Sequence, residues 1–226
     1  MLMRDRLSQP WPHAKTVDPV EIARFAALAE EWWDPNGKLR SMHRFNPVRR
    51  EYIRDRIARH FCREREDESA LAGLRILDVG CGVGHFLDWL TERDYDGAYT
   101  GLDVQGSMVE MARAAHPADK FPKARFECAE FLDVADDYQA DFVMASGIFP
   151  LADMKLLQRT VTAMLNSART GAAFNCLSSF TPRRDPPTFM FANPLEVFAF
   201  CSGLTKALLF RHDYLPQDFT VYLYKE

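Results

Sequence analysis

Apolar and polar positions follow two alternating periods along most of this chain. Apolar runs of strand length alternate with stretches in which apolar residues recur at every third or fourth position, and those runs lie near residues 74–79, 99–103, 138–147 and 172–177. A further strand with the loop after it is expected at residues 125–131. Runs of the first kind predict buried strands, and the second pattern predicts helices with one apolar face. Such alternation is typical of an α/β fold, a doubly wound and mostly parallel sheet with helices on both sides.

Residues typical of helix ends and turns divide the second half of the chain into elements. Ser107 with Glu110 predicts a capping box, and a helix starting at Asp153 is predicted to end before Gly171. Asn193 followed by Pro194 predicts the start of another helix. Two final runs, 207–213 and 219–224, predict an antiparallel strand pair across Pro216, so that the sheet ends in a reversed strand.

Two further helices are predicted before the first strand. Asp18 precedes Pro19 and Glu21 in a capping-box arrangement, after an arm of residues 1–17 with little periodicity. Asn46 opens a second helix, in which apolar residues recur four apart, at Ile53, Ile57 and Phe61. We expect residues 1–70 to form an arm and a helical cap, and residues 71–226 to form the sheet domain as part of the same structural unit.

Three glycines follow the first strand directly, at Gly80, Gly82 and Gly84, after Asp78 and around Cys81. Glycine can take positive φ and lets a ligand approach the main chain, and the next helix begins with unpaired N–H groups. A dinucleotide-binding fingerprint would require a third glycine where His85 stands, so the spacing favours S-adenosylmethionine over NAD.

An acidic residue, Asp103, ends the second predicted strand about twenty residues after this loop, the position that binds ribose hydroxyls in doubly wound sheets. Loop and carboxylate together resemble motif I and the acidic motif of the class I S-adenosylmethionine-dependent methyltransferases, over residues 74–141. The resemblance implies a seven-stranded Rossmann-like sheet with an antiparallel last strand. It also implies S-adenosylmethionine as cofactor, bound by the loop and strand-end residues Asp78, Gly80, Cys81, Gly82, Gly84, Asp103 and Val104.

Two later segments join this predicted site. By the same resemblance, Glu130 with its neighbour Ala129 is the candidate for binding adenine, although Glu130 also fits an ordinary surface glutamate. Ser146 and Gly147 follow the fourth strand, which lies beside the first at the point where ligands bind in doubly wound sheets. We expect Ser146 to face the cofactor or the substrate.

Residues 17–53 resemble the N-terminal region of the ubiquinone-biosynthesis O-methyltransferases in the W-W-D-P-x-G turn and the H-R-x-N-P-x-R-x-x-Y-I run. The resemblance implies that Arg49 binds the methionine carboxylate of the cofactor, for which a guanidinium offers two parallel donors; a solvated arginine on a helix face is the alternative. After strand four that family carries an acidic E-H-type motif, whereas this chain has Ser146 to Pro150. The departure leaves the acceptor molecule open.

Methyl transfer from a sulfonium is an in-line displacement, which needs a base only when the acceptor carries a proton. His43, His85 and Tyr214 are the candidates for such a base. Five scattered cysteines without a C-x-x-C pair favour neither a zinc site nor a disulfide framework, so no metal is predicted.

The net charge of −4 argues against a surface that attracts nucleic acid overall. The start lacks a signal-peptide core and no apolar run reaches membrane-spanning length, so we expect a cytoplasmic protein with at most peripheral membrane contact. The proline-rich stretch 181–188 could be a substrate lid, a loop that touches a membrane, or an ordinary connection. Aromatic residues suggest a small apolar or ring-bearing acceptor. A macromolecule-modifying methyltransferase and a non-catalytic cofactor-binding module remain the alternatives, and the oligomeric state is open.

Overall fold

The computed structural model describes residues 51, 53–64, 67, 69–182, 189–215 and 217–226. The arm, the helix predicted after Asp18, the cap residue Asn46 and most of the predicted 181–188 loop lie outside these residues, as does Pro216. The division of the chain at residue 70 therefore stays a prediction.

Seven strands form one sheet in the order β3-β2-β1-β4-β5-β7-β6. Neighbouring strands pair in parallel except where β7 runs antiparallel to both β5 and β6. The prediction of a doubly wound sheet with a reversed last strand is confirmed. The strands are β1 (Ile76–Val79), β2 (Tyr99–Asp103), β3 (Ala124–Cys128), β4 (Ala140–Ala145), β5 (Ala168–Leu177), β6 (Leu208–Leu215) and β7 (Asp218–Tyr224).

Helices cover both faces of the sheet. They are α1, which includes residues 53–60, followed by α2 (His85–Thr91), α3 (Gly106–Ala115), α4 (Phe131–Val134), α5 (Met154–Ser167) and α6 (Pro194–Leu204), with a 3-10 turn at Ala135–Asp137. Two of the predicted caps are confirmed. The side chain of Asp153 accepts from the Leu156 N–H at the start of α5, and Asn193 accepts from the Leu195 N–H at the start of α6.

The core lies in two layers, one on each side of the sheet. Apolar residues of α5 and α6 fill one layer, and those of α1, α2 and α3 fill the other. Ile57 of α1 is fully buried in the second layer, as its spacing from Ile53 predicts. The ring of His60 stacks on Tyr224 of β7 with centroids 4.3 Å apart, so α1 packs across the β7 side of the sheet.

Two predicted helix ends are wrong. The helix α3 begins at Gly106 with Gln105 as its N-cap and without a side-chain capping bond, so Ser107 forms no capping box. Gly171 does not mark the end of α5, because the helix already ends at Ser167 and Gly171 lies inside β5. A Cβ at Gly171 would lie 2.5 Å from the carbonyl oxygen of Leu223 on the neighbouring strand, and this close approach requires glycine there.

Within the described part of the chain, no helix combines the length and the apolar character needed to cross a membrane.

Candidate functional site

The glycine loop connects the carboxyl end of β1 to the start of α2. Gly80, Gly82 and Gly84 have φ angles of 77°, 54° and 89°, a region that glycine occupies without strain. The N–H groups of Gly80 and Cys81 both donate to the carbonyl oxygen of Leu102, at 2.7 and 3.0 Å. The loop is therefore fixed to the carboxyl end of β2.

The three glycines have different surroundings. A Cβ at Gly80 would lie 2.2 Å from Cγ2 of Ile148, and one at Gly84 would lie 2.7 Å from Cε1 of His116. A Cβ at Gly82 would meet no atom within 4 Å. Packing within the chain thus explains the first and third glycines, whereas the second faces open space in which a ligand could contact the backbone.

The carboxylate of Asp103 lies beside this open position. Its Oδ2 accepts from the Gly82 N–H and its Oδ1 from the Gln105 N–H, each at 2.9 Å. Burial raises the pKa of Asp103, while the N–H groups of Gln105, Gly82 and Val104 act in the opposite direction. A carboxylate has about four acceptor positions, so both oxygens can accept further bonds from a ligand diol.

The side chains of Asp78, in β1, and of Cys81, in the glycine loop, are buried. The hydroxyl of Tyr99 donates to Oδ2 of Asp78 at 2.6 Å, and both side chains are buried. Burial and the charge of Asp78 together raise the pKa of Tyr99. The thiol of Cys81 packs against Gly101, where a Cβ would lie 2.8 Å from its sulfur, and burial raises the pKa of this thiol. Through these contacts Asp78 and Cys81 pack the end of β1 and the glycine loop against β2.

The residues predicted to surround adenine lie at the carboxyl ends of β2 and β3. Val104 is a large apolar residue that is 39% exposed. The Ala129 N–H donates to the carbonyl oxygen of Asp103 at 3.0 Å, so this donor is already used within the chain. Glu130 is the N-cap of α4, its side chain accepts from the Leu132 N–H at 3.4 Å, and burial raises its pKa.

Ser146 and Gly147 follow β4 directly and begin a turn with positive φ, 78° at Gly147. The Gly147 N–H donates to Oδ1 of Asn175, which in turn bonds Asp218, and both of these side chains are buried. Asn175 and Asp218 are additions to the site that the sequence motifs did not predict. The available signal was a single amide within the apolar run of residues 172–177.

The predicted bases are placed in different parts of the molecule. His85 is the first residue of α2 and half-buried, directly after Gly84 of the loop. Tyr214 lies on the edge strand β6, four strands from β1 or about 19 Å at the usual strand spacing, and its hydroxyl lies 2.6 Å from Oγ1 of Thr220. The structure does not bring these two together. His43 and Arg49 lie outside the described residues.

No group of three or more histidine, cysteine, aspartate or glutamate side chains suited to a metal ion occurs among the residues that the structure describes.

Residues 76–171 match a protein family described as a methyltransferase domain. The chain is 44% identical over 104 residues to a ubiquinone biosynthesis O-methyltransferase of Chelativorans sp. (strain BNC1), covering 46% of this chain and 40% of the relative. It is 34% identical over 159 residues to the ubiquinone biosynthesis O-methyltransferase of Nitrobacter winogradskyi, covering 70% of this chain and 60% of the relative. The chain thus spans about half the length of the curated relatives it matches.

The fold is similar to the crystal structure of magnesium protoporphyrin IX methyltransferase from Synechocystis PCC 6803 with bound SAM. The TM-score is 0.64 over 95% of this chain and 100% of that chain, at 11% sequence identity, so the similarity concerns the fold. Residues 76–171 are thus similar to a methyltransferase domain, and the seven-stranded sheet has the class I S-adenosylmethionine-dependent methyltransferase fold.

Proposed function

We propose that the protein binds S-adenosylmethionine in the glycine loop and transfers its methyl group to a small acceptor. The observation that carries this proposal is the open position at Gly82, where a Cβ would meet no atom within 4 Å and the backbone N–H is bonded to the carboxylate of Asp103. In this arrangement the loop backbone contacts the cofactor, and Asp103 accepts bonds from the two ribose hydroxyls. Ser146, which directly follows β4, is the proposed contact on the methionine side.

The bound cofactor supplies an electrophilic methyl group attached to a sulfonium. The chain has to align the acceptor with that group and exclude water, because the reaction is an in-line displacement. We propose that His85, at the start of α2 beside Gly84, takes the proton when the acceptor is a hydroxyl. Arg49 would hold the methionine carboxylate, as its place in the N-P-x-R run suggests.

Exposed aromatic side chains support the proposal that the acceptor is apolar or contains a ring. Phe180 and Phe198 are 56% and 43% exposed, and they contact His212 and Phe210, respectively, with ring centroids 6.2 and 6.1 Å apart. The Met190 N–H donates to the carbonyl oxygen of Pro150, which joins the segment before α6 to the turn after β4. Exposed aromatic rings are suited to stacking on a flat acceptor.

Transfer to oxygen is proposed because the curated relatives are named as O-methyltransferases. A macromolecular acceptor is the second candidate class, and a net charge of −4 does not favour a nucleic acid. A non-catalytic module is the third. The open backbone at Gly82 argues against it, since a loop that no longer binds the cofactor has no need for that space.

The test is to incubate the full chain with S-adenosylmethionine and separate pools of phenols, catechols, aromatic carboxylates, bulk protein and tRNA. We expect S-adenosylhomocysteine to form only with a phenol or catechol pool, with a methylated product identified by mass spectrometry. The matched control is Asp103→Ala, which should sharply lower turnover in the same pool at a cofactor concentration below saturation. Turnover with protein or tRNA alone would overturn the small-molecule assignment, and cofactor binding without turnover in any pool would favour the non-catalytic module.

A further inference from the structure

Asn175 and Asp218 form a buried polar pair within the sheet. They are 5% and 2% exposed, and they lie on the neighbouring strands β5 and β7. Nδ2 of Asn175 donates to Oδ1 of Asp218 at 2.8 Å. Burying an amide and a carboxyl group is costly unless their hydrogen bonds are made, so such a pair calls for a reason beyond packing.

The carboxylate determines which way the amide of Asn175 points. The oxygen Oδ1 of Asp218 accepts from Nδ2 of Asn175, so the NH2 end of the amide faces Asp218. The oxygen end is then turned toward the turn after β4, where Oδ1 accepts from the Gly147 N–H at 2.9 Å. Asp218 thereby selects the orientation in which Asn175 can hold Gly147.

The turn that Asn175 holds touches the glycine loop. Gly147 has a φ of 78°, and the next residue, Ile148, lies so close to Gly80 that a Cβ there would be 2.2 Å from Cγ2 of Ile148. A side chain on β5 is thus connected through one hydrogen bond and one van der Waals contact to the first glycine of the loop. Asn175 and Asp218 lie outside the glycine loop, yet their hydrogen bonds affect its position.

We infer that Asn175, oriented by Asp218, is a positioning residue that holds the Ser146–Ile148 turn against the glycine loop in the arrangement that binds the cofactor. The inference rests on the proposed function, because it assigns a role within the same site. Without the bond to Gly147 the turn can leave this arrangement. The apparent dissociation constant then rises in inverse proportion to the fraction of molecules that remain competent to bind.

The test measures the affinity of the full chain for S-adenosylhomocysteine by titration calorimetry, with thermal unfolding followed by circular dichroism. Asn175→Leu removes the hydrogen bonds to Gly147 and Asp218 and is expected to weaken binding about tenfold. A tenfold loss corresponds to about one tenth of the molecules remaining competent to bind. The matched control is Ser167→Ala at the end of α5. This substitution removes an equally buried hydrogen bond, from Oγ to the Ala135 carbonyl at 2.8 Å, away from the site. It should lower the unfolding temperature and leave the affinity within twofold.

A double substitution, Asn175→Asp with Asp218→Asn, supplies the rescue. The carboxylate at position 175 still accepts from Gly147 and can also accept from the amide at position 218, so the bonds and the net charge are retained. Its affinity should lie within threefold of wild type. Asn175→Asp alone places two carboxylates at hydrogen-bond distance and should lower the unfolding temperature, which the second substitution restores.

Wild-type affinity in Asn175→Leu, or an equal loss of affinity in Ser167→Ala, would overturn the positioning role. If Asn175→Leu does not fold, the double variant decides: a folded double variant that binds more than tenfold weaker would contradict the inference. Failure of the wild-type protein to bind S-adenosylhomocysteine would instead refute the proposed function, so the two failures are distinguishable.

Discussion

The substitution Gly82→Ala separates ligand binding from folding at the centre of the proposed site. A methyl group at this position meets no atom of the chain within 4 Å, so it causes no clash in the ligand-free protein. The remaining cost is conformational, because φ is 54° and an L-residue in the left-handed region loses about 1–2 kcal/mol. For a chain of this size we expect the unfolding temperature to fall by about 2–8 °C.

Ligand binding should be affected much more than stability. The added methyl group occupies the space in which the cofactor is proposed to press against the loop backbone. Displacing the ligand should therefore cost at least about 1.4 kcal/mol, or a tenfold loss of affinity. Titration calorimetry with S-adenosylhomocysteine measures this loss directly, and circular dichroism verifies the fold of the variant.

Gly73→Ala is the matched control for this experiment. Gly73 also has positive φ, 75°, and open space around a Cβ, but it precedes β1 at the opposite end of the strand. It should lose comparable stability and retain wild-type affinity. If Gly82→Ala binds S-adenosylhomocysteine as tightly as wild type does, the cofactor does not occupy the open position at Gly82.

Four further results are expected. Asp103→Ala should cost about 1.5–3 kcal/mol of S-adenosylhomocysteine affinity and Glu130→Ala less; equal small losses would mean that Asp103 does not bind the ribose. Burial raises the pKa of Asp103 and its ionised form is the acceptor, so ligand affinity should decline as the pH falls through that raised pKa. Calorimetry in two buffers should then show that protons are released on binding. A pH-independent affinity would contradict this role of Asp103. Arg49→Lys should weaken equilibrium cofactor binding less than Arg49→Ala, and unchanged binding in both would reduce this arginine to a packing role. Gly80→Ala should lower the unfolding temperature more than Gly73→Ala because of Ile148, and equal melting shifts would argue against that contact.

The same pKa shift has the opposite sign for folding of the ligand-free protein. A carboxyl group whose folded-state pKa is raised favours the protonated form in the fold. Its contribution to stability is therefore present at low pH and is lost as the pH rises through the folded-state value. Ligand affinity and ligand-free stability should thus respond to Asp103 ionisation in opposite directions.

The architecture could be predicted from the sequence where its signals are local. The apolar run of β2 was predicted with the bounds that the structure has, and Asp153 and Asn193 cap the helices as their residue types indicate. Three glycines with positive φ likewise follow from their spacing after a buried strand. Each of these signals depends on residues adjacent in the chain, so periodicity and capping chemistry are enough to identify them.

Features that depend on distant segments could not be predicted in this way. Glycine commonly follows a helix end, yet Gly171 lies within β5, where the backbone of β7 passes too close for a Cβ. Asn175 looks like an isolated polar residue until the fold brings Asp218 and Gly147 to either end of its amide. The alternating glycines also look equivalent in sequence, and only the contacts of Ile148 and His116 distinguish the open one.

The most direct test of the account is a calorimetric titration of the purified full chain with S-adenosylhomocysteine and, in parallel, with NAD. The open backbone at Gly82 and the carboxylate of Asp103 predict saturable one-to-one binding of S-adenosylhomocysteine and no detectable binding of NAD. Tight binding of NAD without binding of S-adenosylhomocysteine would show that the glycine loop is a dinucleotide site.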